Sequence, residues 1–196
     1  MSLGTHNKRK LKSVAAYVNK NKWDAALLTE VRAKDSGTVW LGEGLNLVAV
    51  RYTKRAAILL RGRLLKKWCE EGQRSEEDAR TITIKIGELA LVSTYLPVYK
   101  GNNAQEIEEE RHVLKTHIER ISRSQILVVG GDFNAHVGAG EDRPGTCGKF
   151  EIGVSNQQVR DFLEWLQENN LCHINSFYQH KRKGRGSECH YSIGLK

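Results

Sequence analysis

The sequence predicts a mixed α/β fold with sheets inside and helices outside. Three observations carry that expectation. Apolar runs of strand length cluster between residues 24 and 96, segments with helical spacing flank them, and one more apolar strand falls between two of those helices. The order is helix, a block of strands, helix, strand, helix, strand, which suits packed layers rather than a bundle or an all-β sandwich.

Each element has its own signal. Leu11, Val14, Ala15 and Val18 recur at helical spacing within residues 8–21 and predict an amphipathic helix. DAALLTE (24–30) is short and apolar and predicts a buried strand, followed by strands at LNLVAV (45–50) and AAILL (56–60). RTITIKI (80–86) alternates strictly, and Gly87-Glu88 is a tight connection to LALVSTYL (89–96), so these two predict a hairpin. A long helix is expected over 104–122, with Asn103 and Glu106 in a capping-box pattern and Ile107, Leu114, Ile118 and Ile121 on one face. QILVV (125–129) predicts the next strand. A helix after Ser155, with Gln158 completing a second capping box, would bury Val159, Phe162, Leu163 and Leu166, and CHIN (172–175) predicts a last strand. No internal repeat, low-complexity segment or linker divides the 196 residues, so one domain is expected.

Composition narrows the setting. With 39% hydrophobic and 28% charged residues, this is an ordinary globular composition. No apolar run approaches the roughly 20 residues of a membrane span, and the N-terminus lacks the apolar block of a signal peptide. Cys69, Cys147, Cys172 and Cys189 lie far apart with no CxxC pair, which reads as reduced thiols rather than a zinc site. A nuclear or cytoplasmic protein that is not secreted is expected. The net charge of +8 and pI near 9.4 favour a polyanionic partner over a merely basic surface only in combination with other signs. The stretches HNKRKLK (6–12) and HKRKGRG (180–186) concentrate that charge, while EIEEE (106–110) reads as a solvated helix face.

Chemistry is concentrated at strand ends. Glu30 follows DAALLT, Tyr95 lies in STYLP, and Asp132 and Asn134 follow ILVVGG. Strand ends of layered α/β proteins collect at one rim, where ligand sites form. Glu30 and Asp132 are hard oxygen donors suited to a cation such as Mg²⁺. In GDFN, alternation puts Asp132 and Asn134 on one side and Phe133 on the other, toward the core. A carboxylate that orients or deprotonates a water, beside an amide that donates to a phosphate oxygen, suits phosphoryl chemistry. A strand-to-loop turn with Asx hydrogen bonds is the competing explanation.

The segments LLTEVR, TYLPV, GGDFNAHVG and GVSNQQVRDFLEWLQENNLCHINSFYQHK, in this order, resemble the exonuclease–endonuclease–phosphatase (DNase I-like) superfamily. More closely they resemble the endonuclease domain of LINE-type (non-LTR) retrotransposons, over residues 8–183. The resemblance implies a four-layer α/β/β/α sandwich that nicks DNA with Mg²⁺ or Mn²⁺, as part of a reverse-transcriptase polyprotein. It implies that Glu30 is the metal ligand, Asp132 orients the attacking water, Asn134 binds the scissile phosphate and Tyr95 contacts or polarises it. Asn156 falls at a substrate-side position, with a helix-entry role as the alternative. Arg32 would touch the nucleic-acid backbone or make a surface salt bridge.

The pattern departs from the family at both ends. The family's first strand, with a metal-holding Asn, precedes the segment that aligns with SLGTHNK, and Asn7 at the helix entrance is a poor substitute. After FYQHKRKGRG the family has a Thr-Trp segment, an Asp-bearing strand and a terminal Asp-His, where this chain reads SECHYSIGLK with His190 alone. The expectation is therefore a fold truncated at both ends, a domain over 1–183 and a divergent tail over 184–196, with weak or no catalysis. Exposed sheet edges would make a homodimer through strand pairing a natural outcome. Two readings remain beside the nuclease: a non-catalytic nucleic-acid- or protein-binding relative, and a phosphatase of the same superfamily, which the basic charge disfavours.

Overall fold

Period-two burial organises the interior. The computed structural model describes residues 5–135, 143–150, 157–178 and 191–195. Four strands, β1 (Ala25–Thr29), β2 (Gly37–Leu41), β3 (Val48–Tyr52) and β4 (Ala56–Arg61), form an antiparallel sheet in the order β1-β4-β3-β2. Six more, β5 (Ser75–Glu77), β6 (Thr81–Ile86), β7 (Leu89–Tyr95), β8 (Ile126–Asp132), β9 (Leu171–His173) and β10 (Tyr191–Leu195), form a second sheet in the order β5-β6-β7-β8-β10-β9. Among the described strands only β7 and β8 pair in parallel, and the chain makes the crossover that such a pair needs through a helix between them.

Along β4, Ala57 and Leu59 face helix α1 (Thr5–Asn21), and Ala56, Ile58 and Leu60 face the second sheet. Along β6 the three isoleucines, Ile82, Ile84 and Ile86, turn into the inter-sheet core. Ala90 and Val92 of β7, with Leu127 and Val129 of β8, pack outward against α3 (Ala104–Glu119) and α4 (Gln157–Glu168). The layers are therefore α1, sheet, sheet, and α3 with α4. The four-layer α/β/β/α sandwich is present.

Four elements carried too little signal to be foreseen. Helix α2 (Gly62–Glu70) follows β4 without a break and buries Leu65 and Trp68 between the sheets. Strands β2 and β5 are outer strands with half-exposed residues, where burial imposes little apolar pattern. Residues 191–195, read from sequence as part of the tail, form β10 and pair with β8 on one side and β9 on the other.

Boundaries moved for local reasons. Residues Gly44–Asn46 form a 3-10 turn, so β3 begins only at Val48. CHIN holds its strand only to His173 before another 3-10 turn over Ile174–Phe177. Asn103 makes no cap bond to helix α3. Its side chain instead accepts from the Lys100 N–H (2.8 Å) and donates to the Val98 carbonyl (3.0 Å), holding the loop before the helix.

At the end of the sandwich away from the β7 C-terminus, Glu76 accepts from Lys85 Nζ at 2.7 Å and from Arg120 at 3.4 Å. Burial pushes its carboxyl pKa up, but the Lys85 and Arg120 contacts outweigh it and leave the group below its ordinary 4.5. A depressed carboxylate stabilises the fold above its unfolded pKa and loses that contribution as pH falls through the lower folded value. Glu76→Gln should therefore cost up to about 1 kcal/mol at neutral pH, solvent screening included. In urea titrations the gap to the parent chain should close below the ordinary carboxylate range. A gap that persists in acid would assign the loss to something other than the charge.

Candidate active site

Backbone hydrogen bonds place the strand ends named above on one rim. The Val31 N–H donates to the Arg55 carbonyl (3.3 Å), and the Arg55 N–H donates to the carbonyl of Ala79 (3.1 Å) in the connection between β5 and β6 of the other sheet. The Tyr95 N–H donates to the adjacent Arg80 (3.0 Å), and the Leu96 N–H donates to Asp132 (2.9 Å). Tyr95 and Asp132 are the last matched pair of the β7–β8 ladder. The rim thus runs from the residue after Glu30, across both sheets, to Asp132.

Glycines and a serine let the sheets close up just beneath it. Ser93 Oγ donates to the Leu28 carbonyl at 3.0 Å, tying β7 to β1. A Cβ on Gly130 would sit 2.5 Å from Leu27 Cδ1, and one on Gly131 would run into the Thr94 carbonyl. At Gly131, where the obstacle is backbone, only glycine fits.

Asp132 and Asn134 lie together and half-buried, while Phe133 is 3% exposed and packs on Phe162 with centroids 5.2 Å apart. Asp132 Oδ1 accepts the Asn134 N–H at 3.0 Å, which is the Asx bond of the strand-to-loop turn and leaves the other carboxylate oxygen for a ligand. Asn134 Nδ2 donates to the Leu96 carbonyl at 2.7 Å, which occupies one of its two amide hydrogens.

Glu30 sits just past β1 with its side chain 50% exposed, and its Oε2 accepts from Arg32 at 3.2 Å. Arg32 is therefore engaged in a surface ion pair with the expected metal ligand itself. Glu30, Arg32 and Asn134 all take left-handed backbone, with φ of 54°, 53° and 48°. For the first two this costs about 1–2 kcal/mol each, a strain of the kind found where function fixes side-chain direction.

Sequence reading missed what surrounds Tyr95. Arg80 Cζ lies 5.9 Å from the centre of its ring. Glu106 and Glu110, in the run read as a solvated face, hold that guanidinium at 2.7 and 2.9 Å, and the run's other two acids, Glu108 and Glu109, are exposed. Burial lifts the Glu110 carboxyl above its ordinary value, Arg80 opposes this, and Glu106 adds to it. Spacing could have flagged the pair, since two glutamates at i and i+4 repel unless a cation lies between them.

Among the described residues no group of three or more His, Cys, Asp or Glu is arranged to hold a metal. The rim does offer two hard oxygen donors. Glu30 and Asp132 each have one oxygen held, by Arg32 and by the Asn134 N–H, and the other without a partner among the described residues. That fits a weakly held, largely hydrated cation such as Mg²⁺, which takes one or two carboxylates and keeps its waters.

Helix α1 brings charge to the same end. Its C-terminal Asn19 bonds Arg61 and the Asn46 carbonyl, at the end of β4 far from the rim. Arg9, Lys10 and Lys12 at its other end are exposed on the rim side, and the helix contains no acidic residue. Asn156 and the basic segment Lys181–Arg185 lie outside the described residues.

Solved structures share this architecture. A 3′-5′ exonuclease from Neisseria meningitidis superposes with a TM-score of 0.55 at 15% identity, over 95% of this chain and 82% of that one. An AP endonuclease from Archaeoglobus fulgidus gives 0.52 at 13% identity, over 93% of this chain and 80% of its own. An endonuclease/exonuclease/phosphatase family protein from Leptotrichia buccalis gives 0.51 at 12% identity, over 99% and 84%. The chain has the exonuclease–endonuclease–phosphatase fold. No family model matches it. Among curated sequences it is 29% identical over 94 residues to Craniofacial development protein 2 of Bos taurus and 27% identical over 94 residues to that of Tragulus javanicus. The match takes in 46% of this chain but only 15% and 16% of those proteins' lengths. In this fold, two sheets packed face to face put β1 and β8 side by side, and that is how a carboxylate from each sheet reaches one rim. No helix among the described residues is long and apolar enough to cross a membrane.

Proposed function

We propose that the rim hydrolyses DNA phosphodiester bonds with the help of a divalent cation, as the nicking domain of a LINE-type retrotransposon reverse-transcriptase polyprotein. One observation carries this reading. Two carboxylates of the same rim, Glu30 and Asp132, each keep one oxygen fixed by a donor and the other without a partner among the described residues. Glu30 would hold Mg²⁺ or Mn²⁺, which supplies positive charge to the phosphate when bound. Asp132, its direction set by the Asn134 N–H, orients a water and receives its proton. Asn134 offers its second amide hydrogen to a phosphate oxygen, and the Tyr95 phenol donates to the same group. Arg32 would meet the backbone phosphate on the cation side, and Asn156 is assigned to the substrate side on sequence alone. The exposed Arg9, Lys10 and Lys12 at the rim end of α1, with the net charge of +8, favour DNA over a small phosphorylated compound. The retrotransposon assignment rests on LLTEVR, TYLPV and GGDFNAHVG.

Supercoiled plasmid is the substrate to use. No histidine of the described rim can serve as a general acid, so we expect slow, single-strand nicking that EDTA abolishes. Glu30→Gln should lower it by about 100-fold and should remove a weak Mg²⁺ signal in titration calorimetry. Tight Mg²⁺ binding that survives Glu30→Gln would place the cation elsewhere. Duplex binding with no nicking under any divalent cation would favour the non-catalytic relative.

A further inference from the structure

We propose that Arg80 is a positioning residue that fixes Tyr95 for the reaction, an inference that rests on the functional reading above. Three contacts converge on its guanidinium: Glu106 at 2.7 Å, Glu110 at 2.9 Å and the face of Tyr95 at 5.9 Å. The two carboxylates come from successive turns of α3, the ring from the end of β7, and Arg80 itself from the residue before β6. One planar group therefore ties a helix to the rim of the second sheet. Its backbone takes part too, because the Arg80 carbonyl accepts the Tyr95 N–H at 3.0 Å.

The chemistry of the cluster excludes a simpler role. An arginine gripped by two carboxylates has its charge more than balanced, so it is a poor phosphate ligand in its own right. What it retains is a rigid plane. The guanidinium places its charge over the aromatic ring while its N–H groups stay engaged with the two carboxylates, a combination that lysine's single ammonium reproduces poorly. The ring is consequently held at the end of β7, where Tyr95 pairs with Asp132 in the ladder. Glu106 extends the device: its second oxygen accepts from Asn103 Nδ2 at 3.3 Å, and Asn103 braces the loop that follows Tyr95 through Val98 and Lys100. Ring and loop are thereby tied to the same guanidinium–carboxylate cluster.

The test has an arm that does not depend on activity. In the full chain labelled with ¹³C at its tyrosine rings, Tyr95→Phe identifies the Tyr95 signal among those of the six tyrosines. Arg80→Met and Arg80→Lys should both shift or broaden that signal and leave the others in place. An unchanged Tyr95 signal in both variants overturns the proposal. In the plasmid assay both should lower kcat by about 10-fold or more with KM nearly constant. The double variant Arg80→Met with Tyr95→Phe should be no slower than Tyr95→Phe alone, and additive losses would overturn a route through Tyr95. If Arg80→Met does not fold, Arg80→Lys and Glu110→Gln carry both arms. A parent chain that fails to nick counts against the functional reading only, since the ring signal still decides whether Arg80 fixes Tyr95.

Discussion

Asp132→Ala should abolish plasmid nicking, by about 100-fold to 10,000-fold, while leaving the fold and duplex binding intact. The size follows from the role: the group that orients water and accepts its proton is lost, and the other carboxylate of the rim, Glu30, is committed to the cation. The selectivity follows from the structure. Asp132 joins the sheet through its main chain, whose carbonyl accepts the Leu96 N–H at 2.9 Å, and alanine keeps that bond. Among the described residues its side chain bonds the Asn134 N–H, and that donor can turn to solvent because the site is only half-buried. Asp132→Asn is the finer probe, since it preserves the Asx bond and removes the base together with its negative charge. Activity retained in both variants would remove Asp132 from the chemistry, and loss of duplex binding in either would mean the carboxylate had been holding the rim together.

Sequence and structure agree most where burial is two-sided or strictly alternating. RTITIKI and LALVSTYL could be read directly because the isoleucines must face the other sheet and the threonines must not. The short helix α2 escaped because its nine residues begin at Gly62 immediately after a strand, and Leu64 and Leu65 look like more of that strand. β10 escaped because YSIGL carries little apolar pattern and follows a basic run. The site was half legible. Glu30, Tyr95, Asp132 and Asn134 announce themselves as polar residues at the ends of apolar strands. Which rim they occupy depends on the turn after β3 bonding Ala79 in the other sheet, a long-range contact that no local pattern encodes. The same limit hid Arg80, whose partners Glu106 and Glu110 lie on a helix that looked uniformly solvated.

Gly131→Ala should be the most damaging small substitution near the site, and Gly130→Ala should be much milder, although the two residues are neighbours. The obstacle differs. At Gly130 the added methyl meets the end of the Leu27 side chain at 2.5 Å, and a leucine can rotate away for about 1 kcal/mol. At Gly131 it meets the carbonyl of Thr94, which belongs to the paired strand β7 and is fixed by the ladder on either side. The backbone there, at φ 155°, already lies beyond the usual β range of an L-residue. Relief requires β7 and β8 to part at the end where Tyr95 pairs with Asp132, which should cost about 3 kcal/mol or more. In urea titrations Gly131→Ala should thus show a large fall in midpoint, and in the tyrosine-labelled chain it should move the Tyr95 signal, because separation of the strands displaces the ring. Gly130→Ala should do neither to a comparable extent. Equal losses at the two positions would mean the strands yield as easily as a side chain, and the rim would then be too compliant to hold Asp132 and Tyr95 in register.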